Sequence, residues 1–438
     1  MNLKISKINY LVSSLFLSSF FTTPLQSGFN IREILYFFFS LPILQDIIHA
    51  NIIWISKNTK INKFSGFLYL YFLGHPLIIT FLTLSGFDGL LQSFSITRIL
   101  ISSMSITFQV FIGIFFIVNL DYKSFIQIKK IICIFALGFL IEYLLAVLFS
   151  SGYAFDQAYT ITNIANAGGL YSSKFIGFID SAWLITLVAL LSFHFSITEF
   201  LSSKKFRYLL LSLCFIYLGY ICKLRIFFLA LIIYIFLTIA FFIKNKKQLY
   251  LLSLSSFITF SLLFLNIDFN SSFFESLYDR LYLYAKQINL IANNFLFGVG
   301  GNMSEKYHKF TNAFLADKLS DFLKIDLLSD RFFRSQFHGF PKRSTHSTLL
   351  DIIGDYGILG IYISFFSIAW PLRILKRAWK FYHARKFDIE VRQGSIILIS
   401  LLGFYLLQSS GQYLWVIILM MAYLLNVSNY HMTYNKED

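Results

Sequence analysis

The sequence predicts an all-α polytopic membrane protein of about 12 transmembrane helices, with a large helical extracytoplasmic loop between helices 9 and 10. Three observations carry that prediction. The 438 residues are 57% hydrophobic and 19% aromatic but only 13% charged, whereas a soluble domain is about a quarter charged. Apolar runs near the roughly 20 residues needed to cross a hydrocarbon core recur along the chain, separated by short basic clusters. One polar stretch, 268–348, interrupts that rhythm with ten Lys or Arg and eight Asp or Glu.

The predicted spans run in order over 8–25, 33–54, 65–85, 96–118, 130–150, 175–198, 207–222 and 225–243, then 249–267, 349–371, 394–409 and 412–429. The first follows Lys4 and Lys7 and is read as an uncleaved helix, because no small-residue cleavage site closes it. The seventh and eighth are kept apart although only "CKLR" separates them. The chain divides into helices 1–9 over 1–267, the loop over 268–348, and helices 10–12 with a tail over 349–438.

Loop charges set the orientation. Basic residues cluster in alternate connections: Lys57, Lys60 and Lys63; Lys123, Lys129 and Lys130; Lys204, Lys205 and Arg207; Lys244, Lys246 and Lys247; and Arg373 to Arg392. The opposite short connections hold only Arg32, Lys174, Lys223 and Arg225. Lys and Arg are retained on the cytoplasmic side, so both termini are expected there. The net charge of +15 is explained by this pattern and not by a nucleic-acid partner. Cys133, Cys214 and Cys222 all lie in apolar runs, so neither a disulfide framework nor a thiol metal site is expected.

Inside the loop, Leu277, Leu281, Tyr284, Ile288 and Ile291 recur at helical spacing, with Arg280 beside that stripe. The helix runs into "NNFLFGVGG", whose glycines Gly298, Gly300 and Gly301 end it. A second amphipathic helix is expected after Thr311, with Phe314, Leu315, Leu319 and Phe322 on one side.

His346 is the leading candidate for chemistry, against the plainer reading of an interfacial histidine that starts a helix. An imidazole with a pKa near 6.5 can be neutral and accept a proton in an outer compartment. If the helix includes His346, then Leu350, Gly354 and Gly357 lie below it on one face, a channel with little side-chain bulk suited to a lipid tail. If Thr348 and Asp351 form a capping box, His346 lies just outside the helix. Arg225 and Arg280 are candidates for a diphosphate clamp, because a guanidinium stays charged and binds phosphate oxygens bidentately. Arg343 and Arg98 are secondary candidates for substrate contact, with an interfacial snorkelling role as the plainer reading of Arg98. Asp46, His49, His75, Glu142, Asp180 and His194 are scattered over several spans. Hydrogen bonding between helices is their expected role. "GVGG" follows a helix and lacks a lysine–serine pair, so a helix-ending turn is expected there and not a nucleotide loop.

These residues resemble a known family. The topology, Arg225 at an outer helix start (with "LR" where the family has "SR"), and "YDRLYLYAKQINLIANNFLFGVGGN" are similar to the bacterial O-antigen polymerase and O-antigen ligase superfamily. In that stretch Arg280 and Tyr284 match the family, and Asn294 stands where proline is common. His346, Ser347, Gly357 and Gly360 fit its pattern H-[NSQ]-x9-G-x-x-G. The resemblance implies an inverting, metal-independent glycosyl transfer on the outer face of the inner membrane, without a cofactor. The donor would be a glycan on undecaprenyl diphosphate, held by Arg225 and Arg280, and His346 would deprotonate or orient the acceptor hydroxyl. The acceptor is a second lipid-linked repeat in a polymerase and lipid A–core in a ligase. A chain-length regulator is a further candidate partner. The long stretch from Gly301 to His346 and the Phe- and Ile-rich composition favour the polymerase. A flippase for the same lipid-linked sugar is the alternative from another class, and it would need a charged path through the spans.

Overall fold

The computed structural model describes residues 3–19, 31–56, 111–120, 122–148, 161–162, 174–175, 182–222, 224–242, 287–299, 347–358, 371–376, 389–406 and 418–424, with a few isolated positions besides. These residues are almost entirely helical. Besides short turns, they include a two-residue antiparallel pair in which Ile161 faces Phe175 and Thr162 faces Lys174. The helices are α1 (Leu3–Ser19), α2 (Ile31–Ser40), α3 (Leu44–Ser56), α4 (Tyr122–Leu148), α5 (Ala182–Ser203), α6 (Phe206–Ile221), α7 (Arg225–Phe242), α8 (Thr348–Tyr356) and α9 (Ile389–Leu406). Further helical residues lie at 111–119, 287–293 and 418–424.

Among the described residues, Phe37–Trp54, Ser124–Leu145 and Leu184–Ser203 are long and apolar enough to cross a membrane, and Phe206–Ile221 and Ile226–Ala240 are shorter apolar helices. The expected second span is interrupted by one 3-10 turn, Leu41–Ile43, where Pro42 lacks the N–H that an α-helix would use. The expected spans at 65–85 and 249–267 lie outside the described residues apart from isolated positions, as does the second loop helix after Thr311.

α5 is apolar all round and lies at the centre, packed against α4, α6 and α9. Leu184, Ile185, Val188, Ala189, Leu190 and Leu191 are wholly buried. The outer helices are apolar on their exposed faces too. α6 presents Leu210, Leu213, Tyr217 and Tyr220, and α4 presents Ile134, Ile141, Leu145 and Leu148. Large apolar faces of this kind suit acyl chains, because in water they would drive association.

Tight connections join α5, α6 and α7. Lys204 adopts φ 57 between α5 and α6, and its N–H donates to the Phe200 carbonyl at 2.8 Å. Between α6 and α7 the helix stops at Ile221 and restarts at Arg225, so the two apolar runs are separate helices. Gly219 makes this turn possible, since a Cβ there would overlap the Phe227 ring.

Two buried polar groups tie the bundle. Lys129 of α4 pairs with Glu390 of α9 at 3.2 Å and lies 3.7 Å from Glu199 of α5. Its ammonium faces the rings of Phe125, Tyr423 and Phe195 at 5.5, 5.7 and 6.0 Å. Deeper in the core, Tyr234 of α7 donates its hydroxyl proton to Gln393 Oε1 of α9 at 2.6 Å. That proton being committed, His194 Nδ1 of α5, 2.9 Å from the same hydroxyl oxygen, acts as the donor to it. His194 therefore hydrogen-bonds between helices, as expected for a polar residue at membrane depth.

Candidate functional site

The site is built around α8. Ser347 is its N-cap: the backbone there is extended, and the hydroxyl accepts from Leu350 N–H at 3.5 Å. The expected capping pair Thr348–Asp351 thus shifts by one residue. Thr348 is the first helical residue, and Asp351 instead complements the helix dipole from the first turn. His346 directly precedes the cap in sequence and itself lies outside the described residues.

α8 ends after nine residues. Gly357 takes φ 61 and ψ −139, a backbone conformation closed to residues with a Cβ. The chain then reverses. Gly360 lies so close to α8 that a Cβ would stand 2.7 Å from Ile353 Cα. Ser364 donates to the Leu349 carbonyl at 3.4 Å. On one straight helix these two residues, fifteen apart, would be separated by about 22 Å. The expected single span over 349–371 is therefore corrected. α8 is a short helix folded back on the helical positions that follow it from 358 to 376. In the pattern H-[NSQ]-x9-G-x-x-G, Gly357 makes the reversal and Gly360 lets the two arms touch.

The other side of α8 receives residues 287–299. Gln287 Nε2 donates to the Leu350 carbonyl at 3.0 Å, and Val299 N–H donates to the Gly354 carbonyl at 3.0 Å. Gly298, at φ 70, sits against the Asp355 carbonyl with no room for a Cβ. A Cβ on Gly357 would lie 2.6 Å from both Gly298 N and the Leu296 carbonyl oxygen. The turn is helix-ending, as expected of "GVGG": Asn294 N–H and Nδ2 donate to the Leu290 carbonyl, and Gly298 N–H donates to the Asn294 carbonyl.

This packing fills the space expected for a lipid tail. The room beside Gly354 is taken by Gln287 and Leu290, and that beside Gly357 by Leu296 and Gly298. The expected apolar stripe is also rotated. Ile288 is 58% exposed, while Gln287 and Leu290 are buried. Tyr284, one turn before Gln287, is half-buried on the same side.

Arg225 is the first residue of α7. Arg98, Arg280 and Arg343 lie outside the described residues. The structure thus joins two of the three stretches that carry the motif. The segment that follows Arg280 grips the helix that follows His346. α7, which begins with Arg225, packs on α9, and so does α8. Gln287 and the Ser347 cap were not foreseen from sequence. A lone glutamine among Ile, Leu and Tyr was the available signal for the first.

Residues 181–365 match the family model described as O-Antigen ligase, somewhat under half of the chain. No curated protein matches the chain. The matched region runs from α5 to the returning arm of the α8 reversal, so it contains both glycine turns and the contact between them. That match supports the O-antigen polymerase and ligase superfamily as the family of this chain.

Proposed function

We propose that this chain is a polysaccharide polymerase that joins undecaprenyl-diphosphate-linked repeat units by inverting glycosyl transfer at the periplasmic face of the inner membrane. The observation that carries the reading is the contact between residues 287–299 and α8, which ties the segment after Arg280 to the helix after His346. The proposed topology has twelve spans with cytoplasmic ends, and the 268–348 stretch lies outside. The α8 arm belongs with that outer stretch.

In the proposed reaction, the His346 imidazole takes the proton from an acceptor hydroxyl. The oxygen attacks the anomeric carbon of the donor from the face opposite the diphosphate. The carbon–oxygen bond to the diphosphate breaks, the configuration inverts, and undecaprenyl diphosphate leaves with the bonding electrons. Arg225 and Arg280 stabilise the charge that builds on the departing diphosphate, an interaction that strengthens in the transition state. The reversal at Gly357 brings Leu349, three residues after His346, to Ser364, seven residues past the turn.

The ligase, which transfers the glycan to lipid A–core, is the second reading, and the description of the matching family favours it. The glycan profile of a deletion strain separates the two. Lipid A–core capped with a single repeat is expected, because the polymerase is lost. Bare core with lipid-linked polymer accumulating would assign the ligase, and repeats trapped on the cytoplasmic side would assign a flippase. In the same strain, His346→Ala, Arg225→Ala and Arg280→Ala are each expected to insert normally and make no long chains.

A further inference from the structure

Gln287 is wholly buried, among apolar neighbours, in the stretch that leads into the glycine turn. Its Nε2 donates at 3.0 Å to the carbonyl of Leu350, 63 residues away in sequence. Leu350 is also the residue whose N–H the Ser347 cap holds, so both of its backbone groups are engaged at the end of α8 next to His346. The other amide atom, Oε1, is buried with no partner among the described residues. The Leu350 carbonyl is thus the described anchor of this side chain. Gly354, one turn on, provides the seat, because a Cβ there would overlap Nε2. A buried amide packs less favourably than a methionine of similar size unless it is hydrogen-bonded. Its use here points to the bond itself and not to filling of space.

We infer that Gln287 is a positioning residue that sets the register of the Arg280 segment against the His346 end of α8, with Gly354 as its seat. The inference rests on the roles proposed above for His346 and Arg280. Arg280 precedes Gln287 by seven residues in sequence, and His346 precedes Leu350 by four. A slip at the Gln287–Leu350 contact changes the offset between clamp and base, and a misplacement of about 1 Å costs up to about 100-fold in rate.

The test uses the full chain in membranes, with lipid-linked repeat extracted from the deletion strain as donor. Gln287→Met keeps the volume and removes the N–H donor. Gln287→Glu keeps the shape and sets a carboxylate oxygen against the Leu350 carbonyl. Gly354→Ala evicts the amide and leaves residue 287 intact. Each is expected to insert in normal amount and to lose at least about tenfold in kcat, with donor KM within about twofold. The double variant Gly354→Ala with Gln287→Ala relieves the overlap without restoring the bond, and is expected to stay slow. Wild-type kcat in Gln287→Met, or recovery in the double variant, overturns the inference. So does loss of inserted protein in all four, which would make Gln287 a folding residue only. Wild-type activity in His346→Ala and Arg280→Ala would instead remove the underlying reading. If those two are inactive and Gln287→Met is normal, the positioning role alone falls.

Discussion

Gly357 shows how much one residue can require of a backbone. It combines φ 61 with ψ −139 and a neighbour 2.6 Å from where a Cβ would sit. Gly357→Ala therefore meets both a backbone penalty of about 1–3 kcal/mol and a steric one. The expected outcome is long-chain polysaccharide lost or strongly shortened, read from a glycan gel, with less inserted protein on a blot. Gly360→Ala clashes with the Ile352 and Ile353 backbone at normal helical geometry and is expected to be milder. Arg280→Lys tests a different property, since a lysine keeps the charge but loses the bidentate fork. It is expected to be inactive with insertion unchanged. At this scale the sequence offers candidates where chemistry depends on residue type, an always-charged arginine or a titratable histidine. Gln287 is not among them, because its role is fixed by Leu350, and a partner 63 residues distant leaves no local trace.

At the scale of elements, apolar runs located the helices well. α6 and α7 are two helices because the run stops at Ile221 and restarts at Arg225, whereas Lys129, expected in a connection between spans, lies inside α4 and is buried. What hydropathy could not see is direction. A run of apolar residues over 349–371 has the same composition whether it crosses once or doubles back, and only the backbone at Gly357 decides. The buried ties between helices were also hidden, because each partner sits alone on its own span. Between lipid-embedded helices an interhelical hydrogen bond contributes about 0.6 kcal/mol on average and up to about 1.7. Tyr234→Phe removes two, to Gln393 and His194, and is expected to lower the melting temperature in detergent while the fold persists. Lys129→Ala removes the ammonium that faces Glu390 and Glu199 and is expected to lower the melting temperature in detergent. Lys129→Met with Glu390→Gln is expected to melt higher than Lys129→Ala alone, in the same thermal assay.

For the whole molecule, the Val299–Gly354 hydrogen bond and the Gln287–Leu350 bond have a consequence for what can vary. They hold the two ends of a long excursion of chain together, so the clasp is set by residues 287–299 and 347–360 and not by what lies between. Residues 302–342 can then behave as an exchangeable cassette mounted on a fixed clasp. A chimera that carries the corresponding cassette of a related protein is expected to insert and remain active while its preferred acceptor glycan changes, as read by the sugar composition and length of its product. A chimera cut inside 287–299 or 347–360 is expected to fail. Diversity of surface polysaccharide among strains would then be written in the cassette, and the clasp would be the part that evolution has little freedom to edit.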